Sequence, residues 1–263
     1  MKSPIKWVGG KSKLLKVLLP LIPEHKGYVE VFGGAGWLLF GKEKSKWEVL
    51  NDLDNNLMNL WEVIKNNKDE FISSFEYTLV SRKTFNEYKQ IYKNKHYKDS
   101  MHQAHILYYL LKAGVGASLP DGGGCGFGIA KDNSRLRLED IGKDINEAYM
   151  RLKKVTIENR DFKDIINSFD SEDSFFYLDP PYRATARASY PVGEFTDTMY
   201  KDLRDCCFNI KGKFLLTIND DEYIKELFKG FNIVNHEVYY GISKQNAGRI
   251  NFKELIITNY KIT

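Results

Sequence analysis

A chain of 263 residues, 43% of them hydrophobic, is long enough to bury a large α/β core and too apolar to be disordered. Its formal net charge of +4 suits a polyanionic partner without demanding one. The three cysteines, Cys125, Cys206 and Cys207, form no Cys-x-x-Cys and no other metal-ligand spacing, so a reducing compartment and no structural zinc are expected.

The N-terminus lacks the apolar core of a signal peptide, and no apolar run is long enough to cross a bilayer, so a cytoplasmic protein is expected. Pro4-Ile5-Lys6-Trp7-Val8-Gly9-Gly10-Lys11 leads into Leu14, Leu15, Leu18 and Leu19, spaced for one face of a helix. A lysine beside paired glycines at a helix start can meet an anion; a solvated lysine next to a flexible turn is the plain alternative. Tyr28-Val29-Glu30-Val31-Phe32 alternates and is rich in β-branched and aromatic residues, which predicts the first strand. Gly33-Gly34-Ala35-Gly36 follows, then an apolar helix start at Trp37-Leu38-Leu39-Phe40. Glycines let a backbone approach a ligand closely, but this turn lacks the G-x-G-x-x-G spacing of a nicotinamide site. Trp47 to Asp52 predicts a second strand ending on an acid, about 16 residues beyond the glycine turn, where ribose hydroxyls would be bound. Asp54 competes for that role, although it also suits the N-cap of a helix carrying Leu57, Leu60, Trp61 and Ile64.

From about Asn66 to Asp144 the strand–helix alternation stops. Helical periods (Phe71, Phe75, Leu79, then Phe85, Tyr88) and the run Ile106 to Leu111 precede a polar, glycine-rich loop from Gly114 to Asn133. A loop this long is usually functional or disordered. Lys112, Lys131, Arg135 and Arg137 surround it and are candidate phosphate or base contacts; a mobile loop with solvated charges is the alternative. A helix from about Glu139 to Lys153 restores the alternation. Val155 to Asn159 predicts a third strand, followed by Asp161-Phe162, where Asp161 suits a helix cap.

Phe175-Phe176-Tyr177-Leu178 reads as a buried parallel strand that stops at Asp179-Pro180-Pro181-Tyr182. In open α/β sheets the ligand sits just beyond the carboxyl end of such a strand. An exocyclic amine on a base is a poor nucleophile, because its lone pair is delocalised into the ring. Two acceptors, the Asp179 carboxylate and the Pro180 carbonyl, would draw it toward sp³ geometry. The prolines stiffen the turn and remove two N–H donors, while Tyr182 offers a stacking face for a base taken out of a duplex. The bland alternative is a surface turn. The next loop, Arg183 to Thr196, holds Arg183, Arg187, Tyr190 and Phe195 and suits a displaced strand or flipped base. Phe214 to Ile218 predicts a fifth strand, with a helix through Tyr223 and Leu227 after it. Ile233–Tyr240 and Leu255–Tyr260 predict a closing hairpin. Between them a polar loop carries Ser243, Lys244 and Arg249, which suit phosphate contacts.

Asp179-Pro180-Pro181-Tyr182 after a hydrophobic strand resembles the catalytic motif of amino-group DNA methyltransferases. The early Lys6-Trp7-Val8-Gly9-Gly10-Lys11 and the late position of the motif are similar to the Dam-like adenine-N6 branch. Glu30-Val31-Phe32-Gly33-Gly34-Ala35-Gly36 resembles that family's Glu-x-Phe-x-Gly-x-Gly turn. The resemblance implies S-adenosylmethionine as cofactor, held through Trp7, Lys11 (at the methionine carboxylate), Glu30, Phe32, Gly34, Gly36, Asp52, Asp161 and Phe162. It implies a doubly wound, mostly parallel α/β sheet with an antiparallel strand in the last hairpin. Residues 1–65 and 145–263 would form the catalytic domain, and 66–144 an inserted, largely helical target-recognition subdomain. The implied reaction is methylation of adenine N6 in a short sequence of double-stranded DNA by base flipping, through Asp179, Pro180, Pro181 and Tyr182. An N4-cytosine enzyme, an RNA or protein-glutamine methyltransferase, and a DNA-binding regulator without catalysis remain as alternatives at this point.

Overall fold

The computed structural model describes residues 1–7, 9–115, 119, 126–129, 136–183, 193–239 and 251–262. The apolar runs form β1 (Gly27–Glu30), β2 (Trp47–Asn51), β3 (Val155–Glu158), β4 (Ser174–Leu178), β5 (Lys213–Asn219), β6 (Asn232–Tyr239) and β7 (Asn251–Thr258). They make one sheet in the order β3-β2-β1-β4-β5-β7-β6. β1 pairs in parallel with β2 and β4, β2 with β3, and β4 with β5, while β7 runs antiparallel to both β5 and β6.

Alternation along the central strands decides what covers each face. Phe175 and Tyr177 of β4 join one core with Tyr28 of β1, whereas Phe176 and Leu178 join the opposite core with Val29. Every residue of β4 is buried, as a strand covered on both faces requires. Truncating an aromatic at such a depth costs about 3–5 kcal/mol. The second core is closed by α8 (Phe162–Phe169), α9 (Asp197–Asn209) and α10 (Glu222–Leu227), through side chains such as Ile165, Leu203 and Ile224. The first is closed by α1 (Leu15–Leu18), α2 (Trp37–Gly41) and α3 (Asn55–Asn66). A 3-10 turn at Leu19–Leu21, with Pro20 inside it, ends α1 after four residues, so the helix expected from the leucine spacing is short.

Between β2 and β3 lie α4 (Lys68–Ser73), α5 (Arg82–Asn94), α6 (Ser100–Ala113) and α7 (Leu138–Leu152). Their buried Phe71, Phe85 and Tyr108 share one continuous core with Trp61 of α3 and Tyr28 of β1. Leu79, expected in a helical period, falls between α4 and α5 and is 69% exposed. A buried ion cluster ties α7 to the sheet. Arg151 forks onto Glu48 of β2, with Nη2 to Oε1 at 2.8 Å, and Lys42 reaches the same Oε1 at 2.8 Å. Among the described residues no helix is long and apolar enough to cross a membrane.

Candidate active site

The chain turns to opposite sides of the sheet after β1 and β4, which are neighbours. Beyond the carboxyl ends of such a strand pair a crevice opens. Here it is a cleft of about 1040 Å³ with its open mouth included, lined by residues that follow β1, β2, β3 and β4.

Asp179 arrives at this mouth because β4 is buried up to Leu178 and ends there. It is 18% exposed, and its Oδ1 accepts from Lys11 Nζ at 2.9 Å and from Thr217 Oγ1 at 3.0 Å. Thr217 has a single hydroxyl hydrogen, so with that hydrogen on Asp179 the Tyr177 hydroxyl donates to Thr217 Oγ1 at 3.0 Å. Burial pushes the Asp179 carboxyl up to about 6 against the pull of Lys11; Glu254 adds to the rise and the Thr217 hydrogen bond opposes it. Tyr182 lines the same cleft, donates its hydroxyl to Glu254 Oε1 at 2.7 Å and accepts from Lys11 Nζ. The Pro181 carbonyl is taken by the Tyr200 hydroxyl at 2.6 Å, and Pro180 is buried.

Lys11 is 3% exposed and stands between two carboxylates, Asp179 at 2.9 Å and Glu254 at 3.8 Å. The sequence pointed it at a cofactor carboxylate; in the structure its nearest anion is Asp179.

The other end of the cleft is built by the glycine turn. Gly34 adopts a left-handed φ of 50°, and a Cβ there would stand 3.0 Å from the Trp7 ring. The turn is held from two sides: Gly34 N donates to Asp52 Oδ2 at 2.8 Å, and Trp61 Nε1 donates to the Gly34 carbonyl at 3.2 Å. Asp52 Oδ1 accepts from Asp54 N at 2.9 Å, and burial pushes the Asp52 carboxyl up to about 6. Asp54 caps α3 by accepting from Asn56 N and Leu57 N, which is its structural reading. Glu30 is buried beside the cleft, takes Tyr28 OH and Leu39 N at 2.7 Å each, and is raised to about 7 by burial. Asp161 Oδ1 caps α8 through Lys163 N at 2.9 Å, and Asp161 also lines the cleft. Phe32 and Phe162 pack at 5.7 Å between ring centroids. Trp7, Lys11, Glu30, Phe32, Gly34, Asp52, Asp161 and Phe162 therefore meet at one cleft. Gly36 does not line it. It is buried, takes a left-handed φ of 63° and serves the entry to α2.

Of the basic residues expected at DNA, three are described. Lys112 is paired with Asp144 at 2.8 Å and reaches the Pro4 carbonyl at 3.3 Å. Arg183 is paired with Asp197 at 2.9 Å and Asp221 at 3.2 Å and lies over the Tyr223 ring. Both act as ties between segments. Arg137 is 52% exposed beside Glu139 and Asp140. Lys131, Arg135, Arg187, Ser243, Lys244 and Arg249 lie outside the described residues, as do Cys125, Tyr190 and most of the glycine-rich loop.

Four contributors were not singled out for these places in the sequence. Thr217 and Glu254 touch Asp179 and Tyr182. Trp37 lines the cleft with a buried Nε1 that has no hydrogen-bond partner among the described residues. Phe195, expected against DNA, packs on Phe32 at 5.8 Å and Phe162 at 5.7 Å. A readable signal existed only for Glu254, an acid directly preceding the apolar run Leu255-Ile256-Ile257.

Residues 7–242 match the family described as D12 class N6 adenine-specific DNA methyltransferase. The chain is similar to the Type II methyltransferase M.CviBI of Paramecium bursaria Chlorella virus NC1A, 29% identical over 270 residues, covering 99% of this chain and 100% of that protein. It is similar to the Type II methyltransferase M1.LlaDCHI of Lactococcus lactis subsp. cremoris, 26% identical over 275 residues, covering 97% and 94%. It is also similar to the DNA adenine methylase of Haemophilus influenzae, 22% identical over 283 residues, covering 96% and 91%.

Proposed function

Because the chain belongs to the D12 class of N6 adenine-specific DNA methyltransferases, we propose that its cleft holds S-adenosylmethionine at the glycine turn and a flipped adenine at Asp179-Pro180-Pro181-Tyr182. One observation carries this reading: a half-buried, cation-paired carboxylate, Asp179, stands at the switch point of the sheet, in the same cleft as a second acid, Asp52, at the glycine turn.

The residues at the glycine turn fit the cofactor. Each Asp52 oxygen accepts one backbone amide and has a further lone pair for a ribose hydroxyl. Phe32, Phe162 and Phe195 offer an aromatic enclosure for an adenine ring. The buried Trp37 Nε1 needs an acceptor, and an acidic tail would supply one. When bound, S-adenosylmethionine supplies a methyl group activated by a sulfonium centre.

The chain's own residues then position the amine. The Asp179 carboxylate accepts one N6 hydrogen and the Pro180 carbonyl the other. This favours a tetrahedral nitrogen whose lone pair is free to attack. Asp179 also faces the positive charge that develops on the amine, so its interaction strengthens toward the transition state. Tyr182 stacks on the extruded base, and closure of the cleft keeps water away from it. Residues 66–144 supply target recognition through Arg137, Lys131 and Arg135. Arg187, Ser243, Lys244 and Arg249 contact phosphates of double-stranded DNA. Lys112 and Arg183, ion-paired in the fold, contact DNA as well.

Incubation with S-adenosylmethionine and unmethylated genomic DNA, followed by base-resolution mapping, tests the reading. N6-methyladenine confined to one short sequence is the expected result. N4-methylcytosine, or modification only of RNA, would overturn it.

A further inference from the structure

Glu254 is a costly residue for a core strand. It is 2% exposed on β7, next to the fully buried Leu255. An ionisable group at that depth is unfavourable unless it is paired. Its partners are groups of the active centre. Oε1 accepts from the Tyr182 hydroxyl at 2.7 Å and lies 3.8 Å from Lys11 Nζ, while Oε2 makes no hydrogen bond among the described residues. The antiparallel return of β7 creates this placement. Glu254 is in register with Asn219 at the carboxyl end of β5, two residues beyond Thr217. A carboxylate is thus built into the floor of the site from a strand distant in sequence from Asp179.

We propose that Glu254 is a positioning residue for methyl transfer, fixing the ring of Tyr182 through its hydroxyl before the target base arrives. The proposal rests on the reading of Asp179 and Tyr182 given above. Two prolines stiffen the backbone ahead of Tyr182, but its side chain still has two rotatable torsions. A charge-assisted hydrogen bond to a buried carboxylate locks the far end of the ring. A stacking platform set in advance spares the base the cost of ordering it, and the gain appears in the transfer rate. Glu254 also lies 3.8 Å from Lys11 Nζ, which pairs with Asp179 at 2.9 Å, so the lysine links the two acids.

The test is single-turnover methylation of unmethylated genomic DNA at saturating S-adenosylmethionine, with cofactor affinity measured by calorimetry. Glu254→Ala is expected to slow transfer about tenfold or more while changing the cofactor Kd less than about twofold. Glu254→Gln keeps an acceptor for the Tyr182 hydroxyl and is expected to stay within about threefold of wild type. Tyr182→Phe keeps the ring but deletes the donor, and is expected to reproduce the Glu254→Ala loss. In the Tyr182→Phe background, Glu254→Ala is expected to add less than about threefold. Additive losses overturn the proposal, because they place the effect of Glu254 outside Tyr182. A wild-type rate for Tyr182→Phe overturns it even where Glu254→Ala does not fold. Asp179→Ala separates the two readings. If it transfers at a normal rate, the assignment of the catalytic motif fails. If it is slow while Glu254→Ala and Tyr182→Phe are normal, only the role of Glu254 fails.

Discussion

Replacing Asp179 removes the group on which the proposed chemistry depends. Asp179→Ala deletes the acceptor for one N6 hydrogen and the anion facing the developing cation. The scale for a positioned proton acceptor is about 10²–10⁴ in rate. The same change leaves Lys11, 3% exposed, with Glu254 at 3.8 Å as its nearest remaining carboxylate. Breaking a buried pair costs about 3–5 kcal/mol, and release of a desolvated carboxylate offsets part of that. Asp179→Asn isolates the chemistry, since its amide oxygen still accepts from Lys11 and Thr217. Single-turnover transfer at saturating cofactor is the assay, with DNA and cofactor affinities measured in parallel. Both variants are expected to lose rate with near-normal binding, Asp179→Asn retaining more activity. The pH dependence sharpens the test. With the carboxyl raised to about 6, its ionised fraction falls through half at that pH, and the wild-type rate should drop about tenfold per pH unit below it. The residual activity of Asp179→Asn should lack this limb. Near-wild-type transfer by Asp179→Ala refutes the mechanism.

Asp52→Ala should weaken cofactor binding by about 1.5–3 kcal/mol per charged hydrogen bond lost, roughly ten- to a hundredfold in Kd by calorimetry; unchanged affinity would remove Asp52 from the cofactor site. Thr217→Val keeps the shape but strips a donor from Asp179 and leaves the buried Tyr177 hydroxyl unpaired. It should cost about 1–3 kcal/mol in denaturant unfolding and move the acid limb of the rate to higher pH, whereas an unmoved limb would show that Thr217 does not tune Asp179. Glu30 is raised to about 7, so between about 4.5 and 7 the unfolded chain has released a proton that the folded protein still holds. Its contribution to stability therefore falls as pH rises through that window and is constant above it. Glu30→Gln should gain stability relative to wild type between pH 5 and pH 8 in thermal melts of the ligand-free protein, and a difference independent of pH would contradict the assignment.

The strands were legible because their chemistry is local. Phe175 to Leu178 and Phe214 to Ile218 are apolar runs bounded by polar breakers, and both form buried strands. Boundaries slipped by a residue or two where the chain leaves the ladder but stays buried, as at Val31, which follows β1. The glycine turn was legible because left-handed backbone at Gly34 and Gly36 selects glycine. Partner choice was not legible. Arg183 looks like a DNA contact in a basic, aromatic loop, yet Asp197 and Asp221 lie 14 and 38 residues away in sequence and meet it only in the fold. Lys11 and Asp179 are 168 residues apart (179 − 11), and nothing in either neighbourhood specifies the other.

The polar row at the carboxyl end of the sheet explains why this core tolerates so much buried charge. Thr217 and Tyr177 share a sheet face, and the register of β7 on β5 places Glu254 on that face too. The two carboxylates, Asp179 and Glu254, flank the single amine of Lys11. An apolar replacement of such a cluster would often favour stability, because desolvating ions costs several kcal/mol each. A symmetric ion pair would suffice if Lys11 had only to be neutralised. The additional carboxylate instead leaves the site poised for positive charge. In the proposed reaction that charge appears on the adenine amine at the moment of transfer. Folding then bears the cost of burying the acids beforehand, and the transition state meets dipoles and anions that need no reorganisation.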